Sequence, residues 1–330
     1  GMDVVVTDHH QTDATMPAAL AVLNPHRRDA IYPFKGLCSA GLAYKVVSAY
    51  QRRYGSGDVE PESCLDLVAL ATVADIVPLQ DENRILVREG LVQINRGARC
   101  GIRALKQVAG IAKACTSETI GFRLGPRLNA AGRLDHAMLC VQLLTTESDR
   151  EAMQIAEQLE QLNRQRQQIE EGITAEAGAS LQQDEPAAAI VLGSRDWHLG
   201  VVGIVAARLV DRFHRPSIVI AVDEKGIGKG SARTVEGFDL YQGLSACRDL
   251  LDAFGGHPSA AGLTIHESRL DEFRRRFCDV AAQRATASLV RPTLHVDAEV
   301  NLTEVNFDLI QELESLHPCG AGNPEPTLAV

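Results

Sequence analysis

The chain begins with a run of β-branched residues, Asp3-Val4-Val5-Val6-Thr7, which is directly followed by Asp8-His9-His10. A strand with apolar residues at successive positions is typical of sheets that are covered on both faces. Such sheets are parallel and need crossover helices, so the run predicts an α/β fold. No element precedes this strand and Gly1 is typical of a cleaved tag, so we expect the chain to lack the start of its first domain.

The length and composition indicate a globular protein of more than one domain. The chain has 330 residues, of which 45% are hydrophobic and 23% charged. These values exclude the disordered, collagen-like and coiled-coil classes. No apolar run reaches the roughly 18 residues of a membrane-spanning helix, and the eight cysteines contain no Cys-x-x-Cys pair. We expect a cytoplasmic protein with free thiols and no membrane partner.

Helical spacing of apolar residues predicts helices over 39–54, 61–75 and 83–95. A Ser-x-x-Glu capping box at Ser148 opens a long amphipathic helix, which Asp184-Glu185-Pro186 ends. A second α/β pattern follows, with strands over 188–192, 217–222, 226–234 and 262–265 and helices over 201–213, 240–251 and 269–284. The tail carries strand-like residues 293–296, a short helix over 307–316 and a further strand from Thr327.

These patterns predict an α/β protein of four parts. Residues 1–145 form part of a domain with a parallel sheet, 146–184 a connecting helix, 185–288 a second and smaller α/β domain, and 289–330 the start of a third domain.

Two groups of polar residues are candidate metal ligands. Asp8, His9 and His10 follow a parallel strand at its carboxyl end, where open α/β sheets bind ligands. Imidazole is a common metal ligand, and a nearby carboxylate fixes its tautomer, although a structural role also explains such a triplet. Asp75 has apolar neighbours on both sides, and a buried carboxylate needs a cation or donors. An exposed aspartate at a helix end would need neither.

Four segments are candidate phosphate-binding sites, because they combine small residues with basic or hydroxyl side chains: 123–133, 197–203, 228–233 and 254–258. Guanidinium groups bind phosphate in bidentate fashion, and glycines let the backbone approach an anion. The segment 197–203 also leads into a helix N-terminus, which favours anions. Each segment alone is weak evidence, since basic loops are often solvated surface and Gly-Gly is often a turn.

Five stretches resemble the DHH phosphoesterase superfamily and, within it, the RecJ family of single-stranded-DNA-specific exonucleases: Val5-Val6-Thr7-Asp8-His9-His10, Ala71-Thr72-Val73-Ala74-Asp75-Ile76-Val77-Pro78-Leu79, Arg127-Leu128-Asn129-Ala130-Ala131-Gly132-Arg133, Leu162-Asn163-Arg164-Gln165-Arg166-Gln167 and Phe254-Gly255-Gly256-His257. The first and last stretches are similar across the superfamily, whereas the third and fourth are particular to RecJ. The similarity covers nearly the whole chain, and the loop 320–326 resembles the start of the family's OB-type domain.

The resemblance implies a 5′-to-3′ exonuclease of DNA repair and recombination, with two Mn²⁺ or Mg²⁺ ions held by the DHH domain beside its DHH-associated domain. It implies His9 and Asp75 as metal ligands, His10 as a phosphate-contacting neighbour and Asp8 as the residue that orients the imidazoles. With the phosphate-site candidates, the substrate-binding residues would be Arg127, Arg133, His198, Ser231, Arg233, Gly255, Gly256 and His257. The expected partner is single-stranded DNA, the expected state a monomer, and a single-strand-binding protein or a helicase are candidate protein partners.

The chain departs from the family's pattern before Asp8. The Asp-x-Asp-Gly metal motif and the bridging aspartate of the family are absent from the seven preceding residues. Because hard divalent ions seek about six donors, we expect the chain as given to have an incomplete metal site and to be inactive. Two alternatives stay open: a DHH-type nano-RNase or bisphosphate nucleotide phosphatase, and a non-catalytic module that binds single strands.

The net charge of −10 argues against a nucleic-acid partner only when it is taken as a whole. Residues 83–133 hold ten basic and two acidic residues, a local charge of +8, which leaves −18 for the other 279 residues. Since salt screens charges over roughly 8 Å, we expect a bound strand to respond mainly to this basic segment.

Overall fold

The computed structural model of the chain describes residues 1–12, 15–55, 60–181, 188–284 and 294–330. Its contacts fall into two compact units, the first made of residues 1–163 and 296–330 and the second of residues 164–295. The mixture of helices with parallel strand pairs confirms the predicted α/β class. None of the helices in these ranges is long and apolar enough to cross a membrane.

The first unit opens with a parallel pair of short strands, β1 (Val5–Thr7) and β2 (Ala21–Leu23). Helix α1 (Ser39–Tyr54) has the bounds that its spacing predicts and ends at Gly55, whose φ of 66° is the left-handed conformation of a helix C-cap. A 3-10 turn (Pro61–Cys64) leads into α2 (Leu65–Ala74), and α3 (Asp81–Arg96) follows.

The core of the first unit is helical. After α3 come α4 (Cys100–Val108), the single turn α5 (Ser117–Thr119), a π-helical turn (Ile120–Leu124), α6 (Gly125–Leu134), α7 (Met138–Thr145) and the long helix α8 (Asp149–Leu181). Helices α2 and α3 can approach closely because Gly90 has no side chain. A Cβ at this position would lie only 2.2 Å from the carbonyl oxygen of Leu65. Asp66 is buried in this core and pairs with Arg99, whose Nε lies 2.8 Å from Asp66 Oδ2.

The tail belongs to the first unit. Two short strands, β8 (Ala298–Glu299) and β9 (Leu328–Ala329), pair in parallel around helix α12 (Phe307–Glu314). The loop after α12 docks onto the turn between α2 and α3, where the amide of Leu79 donates to the carbonyl of Ala321 at 2.7 Å. A second contact joins Ser117 Oγ to the carbonyl of Cys319 at 2.6 Å.

The second unit contains the latter part of α8 and a five-stranded sheet. Its elements are β3 (Ile190–Ser194), α9 (Leu199–Phe213), β4 (Ser217–Val222), β5 (Ile227–Arg233), α10 (Leu240–Ser245), β6 (Ala253–Gly256), β7 (Ala260–His266) and α11 (Leu270–Gln283). The strand order is β3-β4-β5-β7-β6, with β3 and β4 parallel and the other pairs antiparallel. Every residue of β4 is buried, which requires cover on both faces of the sheet.

Some details differ from the sequence predictions. Strand β1 is not covered on both faces, since Val5 is 55% exposed. The helix predicted over 240–251 ends at Ser245 and is continued by a 3-10 turn, Arg248–Leu250. The first strand of the second unit lies two residues later than predicted, and β2, β6, α4 and α7 were not anticipated. The strand predicted over 293–296 is wrong for residues 294–296, which are not in a strand, since the strand of the tail lies at Ala298–Glu299. Residue 293 and the helix-ending residues Asp184-Glu185-Pro186 lie outside the described residues.

Candidate functional site

Asp8, His9 and His10 form a cluster at the end of β1. Their potential ligand atoms all lie within 4.8 Å of one another. Asp8 Oδ1 accepts hydrogen bonds from the amide of His9 at 2.8 Å and from the amide of His10 at 3.3 Å. The same oxygen lies 2.8 Å from His10 Nδ1. The carboxylate of Asp8 therefore organises the backbone of the turn as well as one imidazole ring.

The contact with Asp8 fixes the tautomer of His10. A carboxylate only accepts hydrogen bonds, so His10 carries its proton on Nδ1 and keeps a lone pair on Nε2. The hydrogen bond from His10 lowers the pKa of Asp8 from its ordinary value. Asn24, at the end of β2, secures the same turn, because its Nδ2 donates to the carbonyl of His10 at 2.9 Å.

Asp75 joins this cluster from the end of α2. Its Oδ2 lies 3.4 Å from His9 Nε2, and the side chains of His9 and Asp75 are 14% and 46% exposed. The prediction that Asp75 is enclosed by apolar residues is therefore wrong, because the helix ends there and leaves the carboxylate at the surface. A carboxylate at a helix C-terminus meets the negative end of the helix dipole. A cation at this position would compensate for that repulsion.

His9 and Asp75 have the donor types and spacing for a divalent ion. Two donors that bind one such ion at right angles, each about 2.1 Å away, lie about 3 Å apart. The separation of 3.4 Å between His9 Nε2 and Asp75 Oδ2 is close to this value. Imidazole nitrogens and carboxylate oxygens are both common ligands of divalent metal ions. These two residues therefore fit a divalent ion.

The basic segment that includes Arg127 and Arg133 is helical rather than a loop, since both residues lie in α6. Helix formation here buries Ala130 and Ala131 against the core, which explains the small residues of the segment. Arg127 is mostly buried and its Nε lies 2.6 Å from Glu160 Oε2 on α8. Arg133 is exposed near the end of the helix. The guanidinium of Arg127 thus has an internal partner, whereas Arg133 is at the surface.

In the second unit, the sheet brings several predicted phosphate-site residues together. Ser231 on β5 pairs in register with Gly262 on β7, and Gly262 pairs with Gly255 on β6. Residues paired in this way share one face of a sheet. No atom would lie within 4 Å of a Cβ on Gly255. Gly262 and Gly255 therefore leave an open space beside the hydroxyl of Ser231.

Arg233 stands on the same face of β5 as Ser231, and its Nη1 donates to Ser231 Oγ at 3.0 Å. Helix α9 packs against both residues through Gly203. A Cβ on Gly203 would lie 3.0 Å from Ser231 Oγ and 3.5 Å from Arg233 Nη2. This glycine leaves the space in which the hydroxyl and the guanidinium lie side by side.

The other glycines of β5 have a different role from the one predicted for them. Gly228 and Gly230 face the hydrophobic core, because a Cβ on either would lie 2.8 Å from the side chain of Ile220. Both lie in a strand that pairs on both sides, with β4 and with β7. Their amide groups are therefore not available to an anion.

His198, Gly256 and His257 lie at exposed positions of the second unit. His198 is the N-cap of α9, where its Nδ1 accepts from the amide of Gly200 at 3.1 Å. Gly256 ends β6 with a φ of 137°, which a side chain would strain. The amide of His257 donates to the carbonyl of Ala260 at 2.8 Å and closes the β6–β7 hairpin.

Three family models match the chain in the order of its elements. Residues 1–72 match the DHH family, N-terminal domain, residues 184–283 the DHHA1 domain and residues 296–330 the RecJ OB domain. A crystal structure of exonuclease RecJ bound to manganese matches with a TM-score of 0.69 at 35% identity, over 85% of this chain and 69% of that chain. The chain belongs to the RecJ family.

Other members of the RecJ family match almost the whole chain. Single-stranded-DNA-specific exonuclease RecJ of Bacillus subtilis is 41% identical over all of this chain and 42% of its own length. The crystal structure of RecJ from Thermus thermophilus in complex with Mn²⁺ has a TM-score of 0.88 at 34% identity, over 99% of this chain and 48% of that chain. The chain thus spans about half the length of these RecJ relatives.

Two residues beside the candidate residues were not found from the sequence, Asn24 in the first unit and Gly262 in the second. Asn24 follows a strand that was not predicted, although an asparagine after an apolar run is a usable signal. Gly203 belongs to the candidate segment 197–203, but its place against Ser231 and Arg233 was not foreseen, although a glycine within a helix often marks close packing. Gly262 lies in the strand β7, and its place beside Ser231 follows only from the register of the sheet.

Proposed function

We propose that this chain supplies the catalytic units of a single-stranded-DNA-specific 5′-to-3′ exonuclease that depends on Mn²⁺ or Mg²⁺. The 3.4 Å approach of His9 Nε2 to Asp75 Oδ2 carries the proposal, because it joins two motifs 66 residues apart into one site for a divalent ion. The names of the RecJ relatives, which are single-stranded-DNA-specific exonucleases or structures with Mn²⁺, support the substrate and the metal.

In this proposal, His9 and Asp75 hold a divalent ion and Asp8 holds the ring of His10 in one orientation. Divalent ions in such sites lower the pKa of bound water and neutralise the charge of the reacting phosphate. The lone pair on His10 Nε2 can accept a hydrogen bond from a water at the site. The turn after β1 therefore fixes the imidazole of His10 before substrate binds, while the ring of His9 faces Asp75 at the end of α2.

The second unit contributes the phosphate-binding residues of the proposal. Ser231 and Arg233 offer a hydroxyl and a guanidinium side by side, and the glycines of β6 and β7 leave room for the terminal phosphate next to them. His198, Gly256 and His257 are proposed to line the same surface. In the first unit we assign a phosphate contact to Arg133, and one to Arg127 if its pair with Glu160 opens.

His9 and Asp75 supply two ligands, and a pair of divalent ions needs more donors than the described residues of this cluster offer. We therefore propose that the chain as given binds a single ion weakly and does not cut DNA. Digestion of a 5′-phosphorylated single strand by this chain with Mn²⁺, abolished by His9→Ala, would contradict that proposal.

The remaining parts of the proposal concern organisation and setting. We propose the four parts predicted from the sequence, 1–145, 146–184, 185–288 and 289–330, as functional domains. The three matches to family models support an order of DHH, DHHA1 and OB-type domains. We further propose that the protein acts as a monomer in the cytoplasm, on strands delivered by a helicase or a single-strand-binding protein.

The test of the metal site measures Mn²⁺ binding to the chain by titration calorimetry. We expect His9→Ala and Asp75→Asn each to weaken binding at least about tenfold, since each removes one of two protein ligands. Asp279→Asn, which changes an exposed carboxylate on α11, is the matched control and should leave binding unchanged. Equal Mn²⁺ affinity in His9→Ala and in the unsubstituted chain would refute the proposed centre.

A second experiment separates the exonuclease from a nano-RNase. It uses the chain extended by the Asp-x-Asp-Gly segment that the family resemblance implies, and compares digestion of a dinucleotide with that of a long 5′-phosphorylated strand. We expect the long strand to be degraded faster and from its 5′ end. Preference for the dinucleotide would contradict the proposed substrate.

A further inference from the structure

A groove of about 640 Å³ opens beside Asp75 in the first unit. Its walls are the turn after α2, the π-helical turn and the tail loop, and they include Ile76, Glu118, Phe122, Asn129, His317 and Glu325. We name it the Phe122 groove. Ala74 and Ile76 line it, and these are the chain neighbours of Asp75, whose carboxylate faces His9.

Two large apolar side chains of the Phe122 groove are in contact with water. Phe122 is 78% exposed and Ile76 is 77% exposed. Ile76 also has a φ of 57°, which is rare and strained for a β-branched residue. Strain of this kind is typical of functional sites. The strained residue directly follows the candidate ligand Asp75, so the turn presents a carboxylate and an apolar side chain next to each other.

The charges of the Phe122 groove exclude a phosphate as its ligand. Neither lysine nor arginine is among the described residues that line it, whereas Glu118 and Glu325 are. Two carboxylates repel an anion, so the part of a substrate that enters this groove must be uncharged. The aromatic ring of Phe122 and the amide of Asn129 suit a planar group with hydrogen-bonding edges. A nucleobase has these properties.

We infer that the Phe122 groove binds a base of the single strand whose phosphate lies at the His9–Asp75 centre, with Phe122 as the stacking surface and Ile76 as a second wall. This inference rests on the proposed function and names a substrate subsite for it. An apolar surface stacks with every base, so the groove holds a strand without reading its sequence. Its role complements that of the phosphate-binding residues, which recognise the backbone.

The test compares two strands of equal length and equal phosphate number, an oligothymidylate and its abasic counterpart, by fluorescence anisotropy with EDTA present. The unsubstituted chain should bind the oligothymidylate more tightly. Phe122→Ala should lower affinity for the oligothymidylate about tenfold and leave affinity for the abasic strand unchanged. Phe122→Trp should restore the preference. Phe307→Ala, which removes a phenylalanine that is 85% exposed on α12, is the matched control.

The outcomes separate this inference from the function on which it rests. If the unsubstituted chain binds both strands equally, the base subsite is overturned while the proposed function stands. The same holds if Phe122→Ala weakens both strands alike, or if Phe307→Ala has the same effect as Phe122→Ala. If the unsubstituted chain binds neither strand, the proposed function fails and the subsite fails with it. Thermal melting of each variant checks that the fold is intact, which we expect because the substituted positions are exposed.

Discussion

Glu170 on α8 shows how a single residue can tie two helices together. Its side chain is 1% exposed and lies between the guanidinium groups of Arg166 on the same helix and Arg208 on α9. A buried carboxylate without a partner is costly, and so is a buried guanidinium left alone. Glu170 therefore links α9 to α8 in the second unit through ion pairs on both helices.

We expect Glu170→Ala to lower the free energy of unfolding of the second unit by about 3 kcal/mol, because it removes the buried carboxylate that pairs with Arg166 and Arg208. Urea unfolding followed by circular dichroism measures this change. The neighbouring substitution Glu171→Ala, at an exposed position of the same helix, should cost less than about 0.5 kcal/mol. Equal losses in the two variants would show that the ion pairs add nothing.

For single residues, the sequence could predict which of them are candidate site residues but not which side chains they contact. The triplet Asp8-His9-His10 and Asp75 were found as candidates because polar residues next to apolar runs are conspicuous. The distance of 3.4 Å between His9 Nε2 and Asp75 Oδ2 depends on the packing of α2, which no local sequence pattern predicts. For the same reason, the sequence could not show that Arg127 pairs with Glu160.

The tail loop is the element that braces the turn next to Asp75. Ser117 Oγ donates to the carbonyl of Cys319, and the amide of Leu79 donates to the carbonyl of Ala321. A Cβ on Gly320 would lie 2.8 Å from the buried side chain of Leu79, so the loop fits closely over the turn. The tail therefore contributes to the stability of the first unit although it comes last in the chain.

We expect Ser117→Ala to weaken the packing of the tail loop on the first unit by about 1 kcal/mol. The substitution removes one hydrogen bond and leaves the buried carbonyl of Cys319 without its donor. Amide hydrogen exchange at Leu79 should become roughly fivefold faster. Ser63→Ala is the control, because Ser63 Oγ bonds only within its own turn, to the carbonyl of Glu60. Unchanged exchange at Leu79 in Ser117→Ala would mean that the loop is held by other contacts.

Elements with strong local signals were predicted well, and those defined by packing were not. Helix α1 and strand β4 have the predicted bounds, since one ends at a glycine cap and the other is a continuous apolar run. Helices α4 and α7 were missed because they are short, and their contact depends on Gly101, whose Cβ would lie 1.9 Å from the carbonyl oxygen of Leu143. This close approach results from tertiary packing, which the spacing of apolar residues along the chain does not reveal.

Across the whole molecule, charge is distributed differently from what the sequence indicates. The segment 83–133 carries a net charge of +8 in a chain of −10. At least four of its ten basic residues pair with carboxylates within the first unit: Arg88 with Glu89, Arg99 with Asp66, Arg103 with Asp149 and Arg127 with Glu160. Glu89 is already counted in the +8, so the three partners from outside the segment, Asp66, Asp149 and Glu160, reduce its net charge from +8 to +5.

This distribution predicts a moderate salt dependence of strand binding. Each phosphate neutralised on a single strand contributes about −0.7 to the slope of log affinity against log salt, so ten contacts would give about −7. Because the paired arginines are engaged and the proposed phosphate site at Ser231 and Arg233 is small, we expect a slope of about −2, from about three contacts. Affinity would then fall about 16-fold between 50 and 200 mM salt.

Fluorescence anisotropy of a 5′-phosphorylated strand over this salt range tests that slope. Arg233→Ala should weaken binding of all sequences alike and make the slope less steep by about 0.7, because one phosphate contact is lost. Arg103→Ala, which removes a guanidinium already paired with Asp149 at 2.5 Å, should leave the slope unchanged. A slope near −7, or the same loss of slope in Arg103→Ala as in Arg233→Ala, would mean that the ion pairs of the basic segment open when the strand binds. The segment would then bind phosphate as its sequence predicts, at the cost of contacts that hold the first unit together.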